Sequence, residues 1–380
     1  MTVAVVGVAE SDLGHTGASV LALQVQAVTR ALADAGLALR DVDGLATNGV
    51  GRFPTTALAD YLGLTPTWVE SSFVGGSAFE LYLARAEQAI GAGQAEVVVI
   101  SFASDQRSSR SRRLGGTVDE ALPEAQFEAP YAPLYPISYY AMAAQAYLHR
   151  YGASREDLAA VAVEARRWAL LNPAAFRHDA GPLTVADVLA APPVSTPLTA
   201  LDCCLVTDGG GAVVVTSLER ARDLRRPPVA VLGCAEATSH TTMASCDDLL
   251  DTGAQRSGAT AFARAGVQPG DVDLAMLYDS FTITPVLSLE ALGLCAPGEA
   301  AGFVAAGHTG PGGTLPMNTN GGGLSYCHPG QYGVLLLVEA VRQLRGECGR
   351  RQVPGAEVAV AHGTGGILSH CATVVLGADR

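Results

Sequence analysis

The chain contains an internal repeat, and this feature constrains its fold more than any other. The segment Val3-Ala-Val-Val-Gly-Val-Ala-Glu10 returns as Val229-Ala-Val-Leu-Gly-Cys-Ala-Glu236, with six of eight positions identical. A segment of helical periodicity follows each copy, and Gly36 or Gly266 stands where a helix end favours a left-handed residue. The order of these matches predicts a duplicated unit, and so two related halves in one chain.

The two halves also end alike. Gly75-Gly76 precedes a long helical stretch and the apolar run Glu96-Val-Val-Val-Ile-Ser101. Gly321-Gly-Gly323 precedes a predicted helix near 332–344 and the run Glu357-Val-Ala-Val-Ala-His362. Short apolar runs that alternate with helices are typical of strands buried on both faces, so the fold class is α/β.

Residues about 105–200 have no counterpart in the repeat and carry several prolines and aromatic residues. A segment this long is not expected to be structureless inside a compact domain, so we predict an inserted, mainly helical loop domain that covers the site. The N-terminal half then spans 1–225, including this insertion, and the C-terminal half spans 226–380. We interpret the triple glycine Gly209–Gly211, before the last strand of the first half, as a tight packing turn.

The composition restricts the class of partner. Charged residues are 16% of the chain, against a usual share of about a quarter, which favours a large subunit interface. The formal charge of −13 argues against nucleic acid, whose phosphates require clustered lysine and arginine. The main basic cluster, Arg107-Ser-Ser-Arg-Ser-Arg-Arg113, is either a solvated loop or a contact for phosphate or CoA.

The sequence contains no signal for a membrane, a metal or a disulfide framework. No apolar run approaches the ~18 residues that a membrane span requires, and the first residues do not resemble a signal peptide, so we expect a soluble, cytoplasmic protein. The eight cysteines form no CxxC pair, and residues 1–202 contain none of them. We expect no metal and no redox cofactor.

Four motifs, in order and spread over most of the chain, resemble those of the thiolase superfamily. They are Asp202-Cys-Cys-Leu-Val-Thr-Asp-Gly-Gly-Gly-Ala212, Tyr278-Asp-Ser-Phe281, Asn320-Gly-Gly-Gly-Leu-Ser-Tyr-Cys-His-Pro329 and His362-Gly-Thr-Gly-Gly366. The resemblance is strongest to the thiolase-like proteins related to sterol carrier protein X, often labelled lipid-transfer proteins. It implies a duplicated thiolase fold, with two βαβαβαββ halves in five αβαβα layers, an inserted helical loop domain and a homodimer.

The departures from the thiolase pattern concern the chemistry. Thiolases place a nucleophilic cysteine just before the Gly-Gly helix start, where backbone N–H groups and the helix dipole favour the thiolate. Ser72 stands at this position here, and a serine needs an adjacent base to attack. His362 corresponds to the second family cysteine, an acid/base, and His328 retains the histidine that holds the thioester oxygen as it becomes an enolate. The resemblance therefore implies that acyl transfer is lost while enolate chemistry survives.

Two tyrosines extend the resemblance to one subgroup. Tyr278 stands where related thiolases have a loop histidine, and Tyr326 lies two residues before His328. This pattern resembles the aldolases of bacterial steroid side-chain degradation. These proteins cleave a β-hydroxyacyl-CoA to a ketone and a shorter acyl-CoA, such as propionyl-CoA, and form a heterotetramer with a small OB-fold, zinc-ribbon partner. CoA would then arrive as part of the substrate.

Retro-aldol cleavage needs a base for the β-hydroxyl proton, an electron sink at the thioester and an acid for the α-carbon. We predict His328 as the sink, with a backbone N–H near Gly365 or Gly366. Tyr278 and Tyr326 are predicted to transfer protons, and His362 to relay them, since a phenol titrates near ~10.

Two other functions stay open from the sequence. One is a thiolase or acyltransferase that uses Ser72 or Cys327, which we expect to be the only thiol near the site. The other is a non-catalytic acyl-CoA or lipid binder that has lost its nucleophile. Each predicted site residue also has a structural interpretation, as a core ring, a packed histidine or a helix cap.

Overall fold

A computed structural model describes residues 2–49, 51–111 and 120–379. Its strands are β1 (Val3–Glu10), β2 (Gly44–Thr47), β3 (Trp68–Glu70), β4 (Val97–Ser104), β5 (Pro193–Ser195), β6 (Leu198–Thr199), β7 (Gly209–Ser217), β8 (Val229–Thr238), β9 (Leu274–Leu277), β10 (Val358–Gly365) and β11 (His370–Ala378). Its α-helices are α1 (Val20–Ala35), α2 (Pro54–Leu62), α3 (Ala78–Gly91), α4 (Pro123–Phe127), α5 (Ile137–Tyr151), α6 (Arg155–Ala169), α7 (Val185–Ala190), α8 (Leu218–Ala221), α9 (Ala254–Ala265), α10 (Ile283–Ala291), α11 (Ala300–Ala305) and α12 (Gly333–Arg345). Within the described ranges, no helix has the length and apolar character needed to cross a membrane.

Nine strands form one sheet in the order β3-β2-β4-β7-β1-β8-β11-β10-β9. Its two halves meet where β1 pairs with β8 through Ala4 with Ala230 and Val5 with Val229. From this junction outward, β1-β7-β4-β2 and β8-β11-β10-β9 have the same arrangement. The predicted duplication is therefore present in the strand order, whereas the exact domain boundaries stay a prediction.

The helices complete five layers. α3 and α12 contact strands of both halves and each other, so they form the central layer. α1 packs on β1, β4 and β7 at one outer face, and α9 packs on β8 and β11 at the other. Apolar side chains on both faces of the long strands, such as β1, β4 and β7, account for this arrangement, because both faces of those strands must be covered. The predicted five-layer α/β fold is confirmed.

The inserted region consists mainly of helices. Between residues 105 and 200 the described residues form α4 to α7 and the small β5-β6 sheet. α5 packs on the C-terminal half, where the Tyr140 ring lies 4.5 Å from the Phe281 ring. Arg112 and Arg113 of the basic cluster lie outside the described residues.

Two local predictions are wrong. Gly209–Gly211 begin strand β7 and do not form a turn. Glycine is required there for close approach, since a Cβ at Gly210 would lie 2.0 Å from the Phe102 carbonyl oxygen. His362 does not end its strand either, because β10 continues to Gly365 and pairs with β11 along that length.

Candidate active site

The predicted site residues Tyr278 and His328 lie together. Tyr278 follows β9, and its backbone N–H donates to the His362 carbonyl oxygen at 3.0 Å. Its hydroxyl lies 3.0 Å from Nε2 of His328 and accepts the Tyr332 backbone N–H at 3.2 Å. Tyr278 is 5% exposed and His328 8%. The phenol and the imidazole therefore form a nearly enclosed hydrogen-bonded pair.

Asp279 shapes the loop that carries His328. One turn of π-helix, Gly322–Tyr326, follows Gly321, and both Gly321 and Gly322 have positive φ. The turn brings its backbone against this carboxyl. Asp279 accepts the N–H of Gly323 at 2.7 Å and that of Leu324 at 3.3 Å. A Cβ at Gly322 would lie 2.0 Å from the same carboxyl, so no larger residue fits. Asp279, the residue after Tyr278, thus holds the turn that leads to His328, the other member of the pair.

The surroundings set the proton positions. Burial lowers the pKa of His328 to about 4, so the imidazole is neutral near pH 7 and accepts a hydrogen bond at one nitrogen. Burial also raises the pKa of Tyr278 well above its usual value, and the phenol keeps its proton. Tyr278 therefore donates to Nε2 of His328, while its oxygen accepts from Tyr332.

Tyr332 belongs to the site although the sequence analysis did not identify it. Its ring centroid lies 5.8 Å from that of Tyr278 and 6.2 Å from that of His328. Its hydroxyl donates to the Asn320 side chain at 2.8 Å, which fixes the ring. The available signal was an aromatic residue three positions after Pro329, next to the start of α12.

Tyr140, Ser280 and Cys204 lie beside the pair. The Tyr140 hydroxyl makes a long hydrogen bond of 3.4 Å to the Gly366 carbonyl oxygen. The Cys204 backbone N–H donates to the Ser280 carbonyl oxygen at 2.9 Å. Cys204 lies near enough to Tyr278 for their charges to interact, so the expectation that Cys327 is the only thiol near the site is wrong. Burial raises the pKa of Cys204 far above the ordinary thiol value, which disfavours a thiolate.

Tyr326 faces the other half of the molecule. Its hydroxyl donates to Glu10 of β1 at 2.8 Å, and Glu10 forms a partly buried ion pair with Arg342. Although burial acts in the opposite direction, Arg342 and this hydroxyl hold the pKa of Glu10 below its usual value. The structure therefore does not bring Tyr326 to the Tyr278–His328 pair. The Tyr326 side chain points to β1 of the N-terminal half, whereas the His328 side chain, two residues later, points to Tyr278.

His362 contributes its backbone to the site and turns its side chain away. Its Nδ1 lies 2.9 Å from the Thr373 hydroxyl, which contacts Ser257 of α9 on the outer face of the sheet. Gly363, the next residue, faces α3 on the inner face. Burial lowers the pKa of His362 to about 3. The predicted relay from Tyr278 through this imidazole is not assembled.

Neither predicted acyl acceptor is activated. Ser72 is exposed, and its hydroxyl donates to the nearby Glu70 carboxylate at 2.8 Å. Cys327 is fully buried with its sulfur 3.2 Å from the Thr207 hydroxyl, and burial raises the pKa of this thiol to about 12. An exposed serine without a histidine and a buried thiol without a cation both lack the setting that nucleophilic catalysis requires.

A positively charged cavity of about 180 Å³ lies beside the π-turn. Arg107, Arg166 and Arg177 line it, together with Cys204, and none of the described lining residues is acidic. Arg166 is buried and donates only to neutral groups, at 3.3 Å to the Ser325 hydroxyl and 3.2 Å to the Gly181 carbonyl oxygen. Burial and the nearby Arg177 lower the pKa of Arg166. Guanidinium groups that line a partly open cavity with no acidic residue in its described lining favour an anion.

Comparisons with known proteins agree with this architecture. Residues 235–378 match the family model described as "Thiolase C-terminal domain-like". A 17-hydroxy-3-oxo-4-pregnene-20-carboxyl-CoA lyase of Mycobacterium tuberculosis is 38% identical over 95% of this chain and 96% of its own. A steroid side-chain-cleaving aldolase of Thermomonospora curvata is 37% identical over 99% and 98%. The solved Ltp2-ChsH2(DUF35) aldolase matches with a TM-score of 0.91 and 34% identity, covering 100% of this chain and 98% of that one.

Proposed function

This chain belongs to the thiolase superfamily, in the family that includes the steroid side-chain-cleaving aldolases, and from that premise we propose that it is a carbon–carbon lyase. Its substrate is a β-hydroxyacyl-CoA whose acyl group is a steroid side chain, and its products are a ketone and a shorter acyl-CoA. The buried Tyr278 hydroxyl against a neutral His328 imidazole carries this proposal. The pair supplies the proton transfers that a retro-aldol cleavage needs and contains no nucleophile for acyl transfer.

The first step is removal of the β-hydroxyl proton. The Tyr278 oxygen accepts this proton while its own proton passes to Nε2 of His328, 3.0 Å away. The Tyr332 N–H stabilises the negative charge that develops on the phenol oxygen. Because the tyrosine exchanges one proton for another, it does not need to be a phenolate before the substrate binds. Positioned transfer of this kind contributes about 10²–10⁴-fold to the rate.

Cleavage of the bond between Cα and Cβ follows. The electrons of the alkoxide form the ketone, and those of the broken bond pass to the thioester, which becomes an enolate. The proton then returns from His328 through Tyr278 to Cα, and both residues regain their starting states. This assignment moves His328 from the thioester oxygen, where the sequence analysis placed it, to proton transfer, because Tyr278 occupies its Nε2.

A donor is also required at the thioester oxygen. Tyr140 is suited to this role, since burial raises the pKa of its phenol and keeps it protonated. Its hydrogen bond to Gly366 is long, at 3.4 Å, so the hydroxyl can turn to a substrate oxygen at small cost. A fixed donor at a developing oxyanion is usually the largest single contribution to catalysis.

The arginine cavity fits the phosphates of CoA. Three guanidinium groups without acidic neighbours offer charge-assisted hydrogen bonds to a phosphate, and Cys204 lines the cavity and also lies beside Tyr278. A thioester anchored by its phosphates here can extend its acyl end toward the pair. This placement also favours the second interpretation of the basic cluster for Arg107.

We further propose the quaternary structure that the family resemblance implies. A homodimer binds a small DUF35-type partner with an OB-fold and a zinc ribbon, as a heterotetramer. The support is the solved Ltp2-ChsH2(DUF35) aldolase, whose name joins Ltp2 to a DUF35 protein. β3 is also an edge strand of the sheet, and unpaired edges favour pairing with another chain.

The decisive experiment is turnover of defined CoA thioesters. The purified chain, with and without a DUF35-type partner, is incubated with a panel of β-hydroxyacyl-CoAs that includes steroid side-chain thioesters. We expect a ketone and a shorter acyl-CoA by mass spectrometry, and no change in the intact mass of the protein. A covalent acyl adduct on Ser72 or Cys327 would support an acyltransferase instead. Tight binding without cleavage, even with the partner, would support a non-catalytic binder.

A further inference from the structure

Glu80 is a buried carboxyl near the site with no part in the chemistry above. It lies in the first turn of α3 and is 1% exposed. Two glycines make room for it, since a Cβ at Gly333 would lie 2.6 Å from its Oε2 and a Cβ at Gly363 2.4 Å. The carboxyl therefore fills the space between the start of α12 and strand β10.

Neither oxygen of this carboxyl has a hydrogen-bond partner in any other described residue. Proteins pair nearly all of their buried polar groups, so an unpaired one needs an explanation. Burial raises the pKa of Glu80 to about 8, and the group is neutral and protonated near pH 7. Its enclosure by two glycines suggests that the position is built to hold a carboxyl.

The carboxyl touches the backbone that positions Tyr278. Gly76, one turn earlier, packs on that ring, where a Cβ would lie 2.3 Å from Cε2 of Tyr278. The Gly76 carbonyl oxygen in turn lies against Gly333. Gly333 directly follows Tyr332, whose N–H donates to the Tyr278 hydroxyl. The Glu80 carboxyl thus lies against the residue that directly follows the donor of the hydrogen bond to Tyr278.

We propose that Glu80 is a positioning residue for the lyase reaction, and that its carboxyl sets the start of α12 so that the Tyr332 N–H reaches the Tyr278 hydroxyl. This inference rests on the proposed function. The ionised carboxylate has a different effect from the neutral acid. The first N–H groups of a helix attract an anion, so a carboxylate at this place competes with Tyr278 for them. Ionisation of Glu80 therefore withdraws the donor and lowers the rate.

Other ionisable groups on the elements around α3 do not account for the same effect. They are Glu70, Cys234, Glu236, Tyr332, Glu339, Arg342, Arg345, His362, His370 and Cys371. His370 is held by Ser77 and Glu236, Glu339 by Arg351, and His362 faces the other side of β10. Within the site itself, burial raises the pKa of Asp279 to about 7, against the pull of two backbone N–H groups. A substitution at Glu80 alone distinguishes its contribution to the pH dependence of the rate from that of Asp279.

The test compares Glu80→Gln, which keeps the shape and cannot ionise, with the wild type. We expect the wild-type kcat to fall as the pH rises through about 8, and the glutamine variant to match it at neutral pH without that fall. Glu80→Ala, which leaves a gap beside α12, should lower kcat about 10-fold with little change in KM. Glu87→Gln on the same helix is the matched control and should keep the wild-type pH profile.

A second readout does not depend on turnover. In infrared difference spectra between neutral and alkaline pH, the carboxylic-acid C=O band should be larger in the wild type than in Glu80→Gln by the contribution of Glu80, while the contribution of Asp279 is the same in both. Superimposable pH–rate profiles of these two proteins, or the same difference band in both, would overturn the inference and leave the lyase assignment standing. A wild type that cleaves no carbon–carbon bond would end both proposals.

Discussion

Tyr278 and Tyr326 are both buried tyrosines in conspicuous motifs, and their hydroxyl partners distinguish them. Tyr278 donates to a neutral imidazole, whose Nε2 is the acceptor for its proton in the proposed transfer. Tyr326 donates to Glu10, a carboxylate already neutralised by Arg342. A proton moved onto that ion pair would break it, so the second hydroxyl stabilises the fold and does not serve as a transfer group.

Removal of each hydroxyl should therefore have a different effect. Tyr278→Phe should lower kcat by about 10²–10⁴-fold with KM nearly unchanged, because it removes the group that exchanges protons. Tyr326→Phe should leave kcat within about 3-fold and reduce the free energy of unfolding by about 1–3 kcal/mol, the usual contribution of a hydrogen bond to a charged group. Steady-state kinetics and urea unfolding measure the two effects. Equal losses of kcat in both variants would contradict the separation.

Arg177 offers a test of the anion cavity. Arg177→Met removes one charge from the cavity and should raise KM for an acyl-CoA by about 10–100-fold at constant kcat, since a charge-assisted hydrogen bond contributes about 1.5–3 kcal/mol. Arg40→Met removes the same charge from an exposed position outside the cavity and serves as the control. The effect should shrink as salt is added, because ions screen phosphate contacts. A KM that Arg177→Met leaves unchanged would place the phosphates elsewhere.

Glu80 also predicts how stability depends on pH. The pKa of its carboxyl is about 8 in the folded chain against 4.5 when unfolded, so between these values the folded state binds the additional proton. Stability from this group is therefore lost as the pH rises from about 4.5 to about 8. Glu80→Gln should be more stable than the wild type by an amount that grows over this window, up to the order of 5 kcal/mol. Urea unfolding at several pH values measures it, and a difference independent of pH would refute the linkage.

At the level of elements, the start of α3 is the segment most restricted by the site. Gly76→Ala would place a Cβ 2.3 Å from the Tyr278 ring and 2.7 Å from the Thr364 carbonyl oxygen. We expect a loss of about 1–3 kcal/mol in stability from this overpacking, and at least about 10-fold in kcat from displacement of the ring. Gly91→Ala at the other end of α3 meets no atom within 4 Å and should be neutral or stabilising. If both variants lost the same activity, the loss would come from a general change in α3 and not from the contact between residue 76 and the Tyr278 ring.

The elements were predictable where the signal was local. The repeated strand and the glycines after each following helix predicted β1, β8, α1 and α9, and Gly36 and Gly266 have the expected left-handed φ. The failures all concern contacts between distant segments. Gly210 is glycine because β4 lies against it, and the side chain of His362 faces outward because the alternation along β10 requires it. Tyr332 was not predicted because its position depends on a hydrogen bond to Asn320, and no sequence motif links these two residues.

At the scale of the molecule, the sheet has one edge with an apolar surface beside it. Exposed large hydrophobic side chains include Phe53, Tyr61, Val69 and Phe73, which lie in α2, β3 and the adjoining segments. β3 itself carries a single charged residue, Glu70, of the kind that usually blunts a free edge. These features agree with a chain that buries the edge against a second copy.

Val69→Asp tests whether this edge joins two copies of the chain. Val69 is 52% exposed on β3, and a carboxylate there should be desolvated on pairing, so we expect a shift from dimer to monomer in light scattering. Val194→Asp, on the small β5-β6 sheet at 39% exposure, introduces the same charge elsewhere and should leave the dimer intact. Stable interfaces bury about 1,600 Å² in total, so one central charge should weaken association by about 10-fold or more. If both variants stay dimeric with unchanged dissociation constants, the second copy binds at another surface, and β3 must be protected in some other way.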